Sequence, residues 1–303
     1  MKRNDNKERN FQYFLAKSGW KLLSLIPLGV MYILSDILFY LFYYLIRYRR
    51  NVTRKNLTES FPEKNKNEII GIEKRFYRFL IDTFFETCKL ATLSPKKIGR
   101  HIRFLNLEEL NETFNSGQSV SLYLGHLGSW EWYSSMTLCF PPQIVSGQVY
   151  KRLHSPLSDR LMLENRRRFG AENVEMNDVL RWIHRLHSAE TTSILGYLAD
   201  QSPRLRDIQH YVSFLNHQVP ALVGAEKITK KYNYAAFYLE IKRFKRGKYE
   251  AKFVKMHDNP SSLSDFQLTD IFYQHLEKNI RQQPELYLWT HKRFKYAKKQ
   301  LPL

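Results

Sequence analysis

The sequence predicts an α/β fold in which a mixed central sheet is flanked by helices, with an N-terminal hydrophobic membrane-anchoring helix ahead of it. Three observations carry this reading. Residues 119–124 (SVSLYL) and 191–198 (TTSILGYL) are short, almost continuously apolar runs, the pattern of strands buried on both faces. Apolar residues at helical spacing cover 66–91, 155–169, 178–187 and 264–281, so helical and strand patterns alternate along the body of the chain. Before that body stands one 25-residue apolar and aromatic run, LLSLIPLGVMYILSDILFYLFYYLI, from Leu22 to Ile46.

The run is long enough to cross a bilayer. It is bounded by Lys21 on one side and by Arg47, Arg49, Arg50, Arg54 and Lys55 on the other. Pro27 and Asp36 count against a simple span, since an acidic residue near the centre of a transmembrane helix costs about 2.5 to 3.5 kcal/mol. A tilted span, a broken helix and a partly embedded anchor all remain compatible with the run, and the alternative outside the membrane is the core helix of a soluble protein. It is too long for the apolar core of a signal peptide, and no small-residue cleavage site separates it from the basic cluster. The basic cluster that follows would place the body of the chain on the cytoplasmic side, with the lysine and arginine residues before the run weighing the other way. Residues 1–50 are thus expected to form the anchor. Residues 51–303 are expected to form one catalytic domain, because no Pro/Gly/Ser-rich linker or internal repeat divides them.

Within that domain SFPEKNKNE around Ser60 reads as a turn, after which the helical pattern of 66–91 ends before Ser94 and Pro95. Strand 119–124 leads into Gly125 and His126, and then into a helix with Ser129 as its expected N-cap. Residues 235–242 and 249–256 flank a Lys-Arg-Gly-Lys turn at 245–248 and predict a hairpin, and 286–289 reads as a last strand.

The net charge is +19, which calls for an anionic partner. A second basic cluster lies at Lys292, Arg293, Lys295, Lys298 and Lys299, but no helix-turn-helix or zinc-finger spacing accompanies either cluster. A basic cluster beside a hydrophobic run points to a membrane surface rather than to nucleic acid. The two cysteines, Cys88 and Cys139, stand in no metal-ligand or disulfide pattern, which suits a reducing compartment.

Chemistry concentrates in Gly125-His126-Leu127-Gly128-Ser129-Trp130-Glu131. Ten histidines and 29 acidic residues in 303 positions make about one His with an acid five positions on a chance event, and His154 with Asp159 is a second such pair. Setting separates the two. His126 follows a strand, and Glu131 falls in the first turn of the next element, where a carboxylate is favoured by the helix dipole; His154 precedes a proline and follows no strand. Residues five apart do not share a helix face, so the pair requires a turn, which Gly125 and Gly128 permit. A carboxylate on one ring nitrogen would fix the imidazole tautomer while the other nitrogen takes a proton from an external alcohol. No serine or cysteine in the motif is an obvious nucleophile. Asp200 ends the second strand on the same expected sheet edge as His126, which makes it a further candidate, although Asp-Gln-x-Pro is also ordinary turn chemistry.

The block from Gly125 to Trp132 resembles the HxxxxE motif of the late acyltransferases of lipid A synthesis, members of the wider lysophospholipid-acyltransferase-like group. Further positions follow in register: Arg49-Arg50, Asn56-Leu57, Ser60-Phe61-Pro62, Tyr150-Lys151, the run Arg166-Arg167-Arg168-Phe169-Gly170, Asp200-Gln201 with Pro203, Trp289 and Lys292-Arg293-Phe294. The resemblance implies that His126 is the general base, that Glu131 orients it, and that one of Arg166, Arg167 and Arg168 holds a phosphate or an oxyanion. Arg166, Arg168 and Asp200 are the candidate substrate-binding residues. It implies a fatty acyl thioester of acyl carrier protein or coenzyme A as co-substrate, a lipid A precursor as acceptor, no metal or redox cofactor, no nucleic-acid partner, and a place on the inner membrane facing the cytoplasm. Ser129 stands where the family often has Asn, and Phe214-Leu215-Asn216 where it has Gly after an aromatic pair; both departures bear on substrate identity rather than on reaction type. The rivals are an acyltransferase for another lipid acceptor, such as a glycerophospholipid, an aminolipid or a glycolipid, and a basic membrane-binding or nucleic-acid-binding protein without chemistry.

Overall fold

The computed structural model describes residues 2–257 and 259–298, with side chains from Phe11 onward; Lys299 of the C-terminal basic cluster lies outside the described residues. The described part begins with two helices, α1 (Lys2–Leu25) and α2 (Leu28–Tyr40), the second continuing through a π-helical turn, Leu41–Ile46. The apolar run is therefore broken rather than continuous. Pro27, with φ at −58°, has no N–H to give the helix and ends α1, so the uninterrupted apolar helix is the 19 residues Leu28–Ile46. Then come α3 (Arg50–Ser60) and α4 (Lys66–Leu90). Asn65 starts α4 with a capping box: its side chain accepts from the backbone of Asn67 and Glu68, and Glu68 accepts from the Asn65 N–H.

The body of the chain alternates short helices with strands: α5 (Pro95–Ile98), β1 (Ile102–Leu105), α6 (Leu107–Asn115), β2 (Val120–Leu124), β3 (Val145–Tyr150), α7 (Pro156–Arg167), β4 (Glu172–Glu175), α8 (Val179–Ser188), β5 (Ser193–Leu198), β6 (Tyr211–Phe214), β7 (His217–Pro220), α9 (Gly224–Lys231), β8 (Ala235–Lys245), β9 (Lys248–His257) and α10 (Gln267–Gln282). Among the described residues, seven strands form one mixed sheet in the order β1-β9-β8-β2-β5-β3-β4, and β6 and β7 form a separate antiparallel pair. All neighbours in the large sheet run parallel except β8 and β9, the predicted hairpin, whose turn is closed by Gly247 at φ +66°. Every residue of β2 is buried, and so is all of β5 but Leu198, which explains why both strands read as unbroken apolar runs.

Two sequence expectations change. The segment after Ser129 is a 3-10 helix, Trp130–Cys139, and Ser129 makes no side-chain cap bond to it. Its own hydroxyls favour the tighter winding, since Ser134, Ser135 and Thr137 each donate to the carbonyl three residues back. Residues 286–289 do not form a strand. Pro284 opens a 3-10 turn, Pro284–Leu286, and only an isolated bridge between Tyr287 and Leu127 follows.

The N-terminal helices are fastened to the body through α4. Trp20 of α1 meets Phe84 edge-on, and Lys89 and Thr92 donate to the α1 C-terminal carbonyl of Ser24. Beside them Glu86 is wholly buried and accepts from Tyr32 of α2 and Tyr249 of β9. Burial, and then the neighbouring Asp82, push its carboxyl up to about 7, against the hydroxyl bonds that favour the charged form. Because the folded value lies above the unfolded one, the folded chain holds this proton more tightly, and stability falls as pH rises from the unfolded value toward 7. Glu86→Gln, which keeps the polar contacts without the charge, is expected to stabilise the fold by roughly 3 kcal/mol at pH 8 and by little at pH 4. Melting curves across that range check this; identical pH slopes for the two proteins would contradict it.

Candidate active site

The site begins with strand register. In the parallel pair β2–β5, Leu124 lies opposite Leu198, and the Ala199 N–H donates to the Leu124 carbonyl. His126 and Asp200 each lie two residues beyond those partners, so adjacent parallel strands deliver them side by side at their C-terminal ends. Asp200 Oδ1 lies 2.6 Å from His126 Nδ1, and the His126 backbone N–H donates to Asp200 Oδ2 at 3.1 Å.

Asp200 is wholly buried. Burial alone would raise its carboxyl, but the charges of His126 and Arg293 and the bonds from His126 outweigh it and hold the group well below the usual carboxylate range. Arg293, itself buried, donates from Nη2 to Asp200 Oδ2 at 2.9 Å and lies over the Tyr287 ring. The C-terminal segment that carries it is tied to α3: Asn56 Nδ2 donates to the carbonyls of Trp289 and His291, and Arg49 donates to that of Thr290. The loop after β2 is fastened to the same segment, with Gly128 N–H bonded to the Leu286 carbonyl and Leu288 N–H to the His126 carbonyl. Gly128 has φ +67°, and a Cβ there would meet Ile241 and the Tyr133 hydroxyl at 2.8 Å; the close turn requires glycine on both counts. Gly125 has no such conformation, but a Cβ would meet Leu276 at 2.5 Å.

Glu131 does not touch the imidazole. It forms a two-pronged ion pair with Arg166 at the end of α7, Nε to Oε2 at 2.8 Å and Nη2 to Oε1 at 2.6 Å. The expected contact between residues five apart gives way to a contact across 74 residues, because Nδ1 is already occupied by Asp200, while the 3-10 segment directs Glu131 toward α7. Burial would lower the Arg166 guanidinium, but Glu131 more than offsets this and raises it. Arg168, the other arginine singled out from the sequence, donates to the carbonyls of Ala91 and Leu93 and ties α7 to the loop after α4.

His126, Glu131 and Arg166 open on one cavity of about 550 Å³ at the C-terminal edge of β2, β5 and β3. Its depth is apolar, lined among others by Leu124, Met136, Val179, Leu198 and Ile228, and its mouth carries Lys151, Arg152 and His154. On the other side of the imidazole, the Gln201 amide nitrogen is hydrogen-bonded to His126 Nε2 at 3.3 Å, and Trp130 meets the ring edge-on at 5.5 Å. The cysteines have no part here: Cys88 is buried, with its thiol pushed up to about 12 by burial, and burial raises Cys139 as well. Sequence reasoning placed Asp200 on the correct edge but assigned its contact to Glu131. It missed Arg293 as a site residue, because a basic cluster ordinarily means solvated charge.

The arrangement is a histidine with one nitrogen held by an ionised carboxylate and the other turned toward a chain-sized apolar cavity with a basic mouth. Comparison with known proteins agrees with chemistry on a lipid. The family described as bacterial lipid A biosynthesis acyltransferase matches residues 1–296. A lipid A biosynthesis acyltransferase of Haemophilus influenzae is 20% identical over 247 residues, covering 80% of this chain and 74% of that protein. The chain belongs to the bacterial lipid A biosynthesis acyltransferase family.

Proposed function

We propose that this acyltransferase moves a fatty acyl group from the thioester of acyl carrier protein or coenzyme A to a hydroxyl of a lipid A precursor, with His126 as general base. The observation that carries the reading is the 2.6 Å contact between His126 Nδ1 and Asp200 beside an apolar cavity of about 550 Å³. Asp200 keeps the proton on Nδ1, so Nε2 carries a lone pair, which passes from the Gln201 amide to the acceptor hydroxyl when substrate displaces that contact. The hydroxyl oxygen attacks the thioester carbonyl carbon as its proton passes to Nε2. The tetrahedral oxyanion collapses, the carbon–sulfur bond breaks, and the leaving thiolate takes the proton from the imidazolium. Arg166, oriented by Glu131, supplies positive charge toward the oxyanion or an acceptor phosphate. Arg168 ties α7 in place rather than touching substrate. The apolar depth suits an acyl chain, and the basic mouth suits phosphorylated donor and acceptor. The apolar N-terminal helices and the net charge of +19 support association with the inner membrane, the body facing the cytoplasm.

In a transfer assay with acyl carrier protein thioester and a lipid A precursor, His126→Ala is expected to lose roughly a hundredfold or more in kcat. Full activity in that variant would remove the base from the mechanism. A panel of thioester donors and of glycerophospholipid, aminolipid and glycolipid acceptors identifies the preferred pair, and turnover confined to a different acceptor would replace the lipid A assignment. Double-mutant cycles test the pairing directly. Glu131→Gln and Arg166→Gln are expected to be strongly non-additive in kcat/KM, while Glu131→Gln and Asp200→Asn combine closer to additively. Coupling of Glu131 to His126 but not to Arg166 would return Glu131 to the role of histidine partner.

A further inference from the structure

The inner face of α2 is held to α4 along most of its length. In chain order along α2, Tyr32 donates to Glu86 at 2.8 Å, Ser35 donates to Asp82 at 2.6 Å, Phe39 lies 4.8 Å from the Arg78 guanidinium, and the Tyr43 ring meets Tyr77 at 5.4 Å. Partners on α4 descend as those on α2 ascend, so the two helices lie antiparallel and alongside one another. From the β8–β9 turn, Arg246 reaches Asp36 at 2.9 Å, both oxygens of Asp82, and the Tyr32 carbonyl. Asp36, the acidic residue that counts against a span, thus sits on the flank of α2 in an ion pair.

The opposite face of α2 is bare. Val30, Ile33, Leu34, Ile37 and Leu41 recur at helical spacing and are all exposed, Ile33 and Ile37 by more than three-fifths. On α1, which packs its own inner face on α4, Phe11, Phe14, Leu15, Leu22 and Leu25 form a second exposed apolar face. Basic residues flank these faces, with Lys21, Arg47 and Arg49 exposed.

A helix of 19 residues, about 28 Å long, matches the hydrocarbon thickness of a bilayer. If α2 crossed while docked on α4, however, Asp36, Arg78, Asp82 and Arg246 would lie level with its middle, near the bilayer midplane, where ionised groups are least tolerated. Resting on the membrane association proposed above, we infer that α1 and α2 do not cross the membrane: they lie in the plane of one leaflet, outer faces in the boundary between headgroups and acyl chains of an anionic bilayer. The exposed basic residues meet anionic headgroups, and the charged α4 face stays on the aqueous side.

Membrane sidedness tests this. Lys21→Cys and Lys55→Cys bracket the apolar helix, and in sealed inverted inner-membrane vesicles both are expected to react with an impermeant maleimide to similar extents, above the background of the unsubstituted chain. Protection of Lys21→Cys alone means that the helix spans, which overturns the in-plane arrangement and leaves membrane association intact. Failure of the full chain to float with vesicles of phosphatidylcholine and phosphatidylglycerol overturns both. With the same vesicles, Ile33→Asp combined with Ile37→Asp is expected to lower the bound fraction at least tenfold with an unchanged circular dichroism spectrum; undiminished binding rules out this face as the embedded one.

Discussion

A buried carboxylate is the constraint around which this protein is organised. Removing an ionised Asp from water costs several kcal/mol unless partners replace the lost solvent, and Asp200 has no exposed surface. Its partners are the imidazole and backbone N–H of His126 and the guanidinium of Arg293. Each is delivered by a different part of the fold. Parallel pairing of β2 with β5 supplies His126; the C-terminal segment, tied to α3 through Asn56, supplies Arg293. His126 and Arg293, far apart in the chain, thereby converge on one oxygen pair. The C-terminal basic cluster contributes a buried structural charge as well as surface charge.

Two separate ion pairs surround the histidine: Asp200 with Arg293, buried behind the imidazole, and Glu131 with Arg166, lining the cavity. In the proposed mechanism Asp200, held by Arg293, keeps the proton on His126 Nδ1, which sets what Nε2 can do. Glu131 and Arg166 line the cavity as a second pair, and in the same proposed mechanism that pair presents positive charge to a substrate oxygen or phosphate. A carboxylate shared between the two tasks could not serve both, since a single Glu131 on the imidazole would leave the Arg166 guanidinium buried without its partner.

The fold was legible where burial is symmetric. β2 and β5 read as strands because both faces are covered, and the β8–β9 hairpin because Gly247 marks its turn. β3 and β4 lie toward one edge of the sheet and carry polar side chains within them; Gln148 of β3, for instance, donates to the Arg166 carbonyl, and VSGQVY shows no strand period. In the N-terminal run Pro27 already counted against a simple span and left a broken helix among the possibilities, and the break between α1 and α2 falls there. At the site, His126, Glu131, Arg166 and Asp200 were all legible as residues of interest. The partners were not, since a sequence displays neighbours five apart and hides neighbours 74 apart until the pairing of two strands is fixed. Arg293 gave no local signal that separated it from Lys292 and Lys295.

The most direct test of the account is the proton on His126 Nδ1, observed by proton–nitrogen NMR of chain labelled at histidine in detergent. A hydrogen bond of 2.6 Å to an ionised carboxylate shifts an imidazole N–H far downfield. His210 makes a contact of the same length to Asp270, and the account predicts a resonance separate from that one, lost in His126→Ala and Asp200→Asn and kept in Glu131→Gln. A resonance that survives Asp200→Asn and vanishes in Glu131→Gln would contradict it.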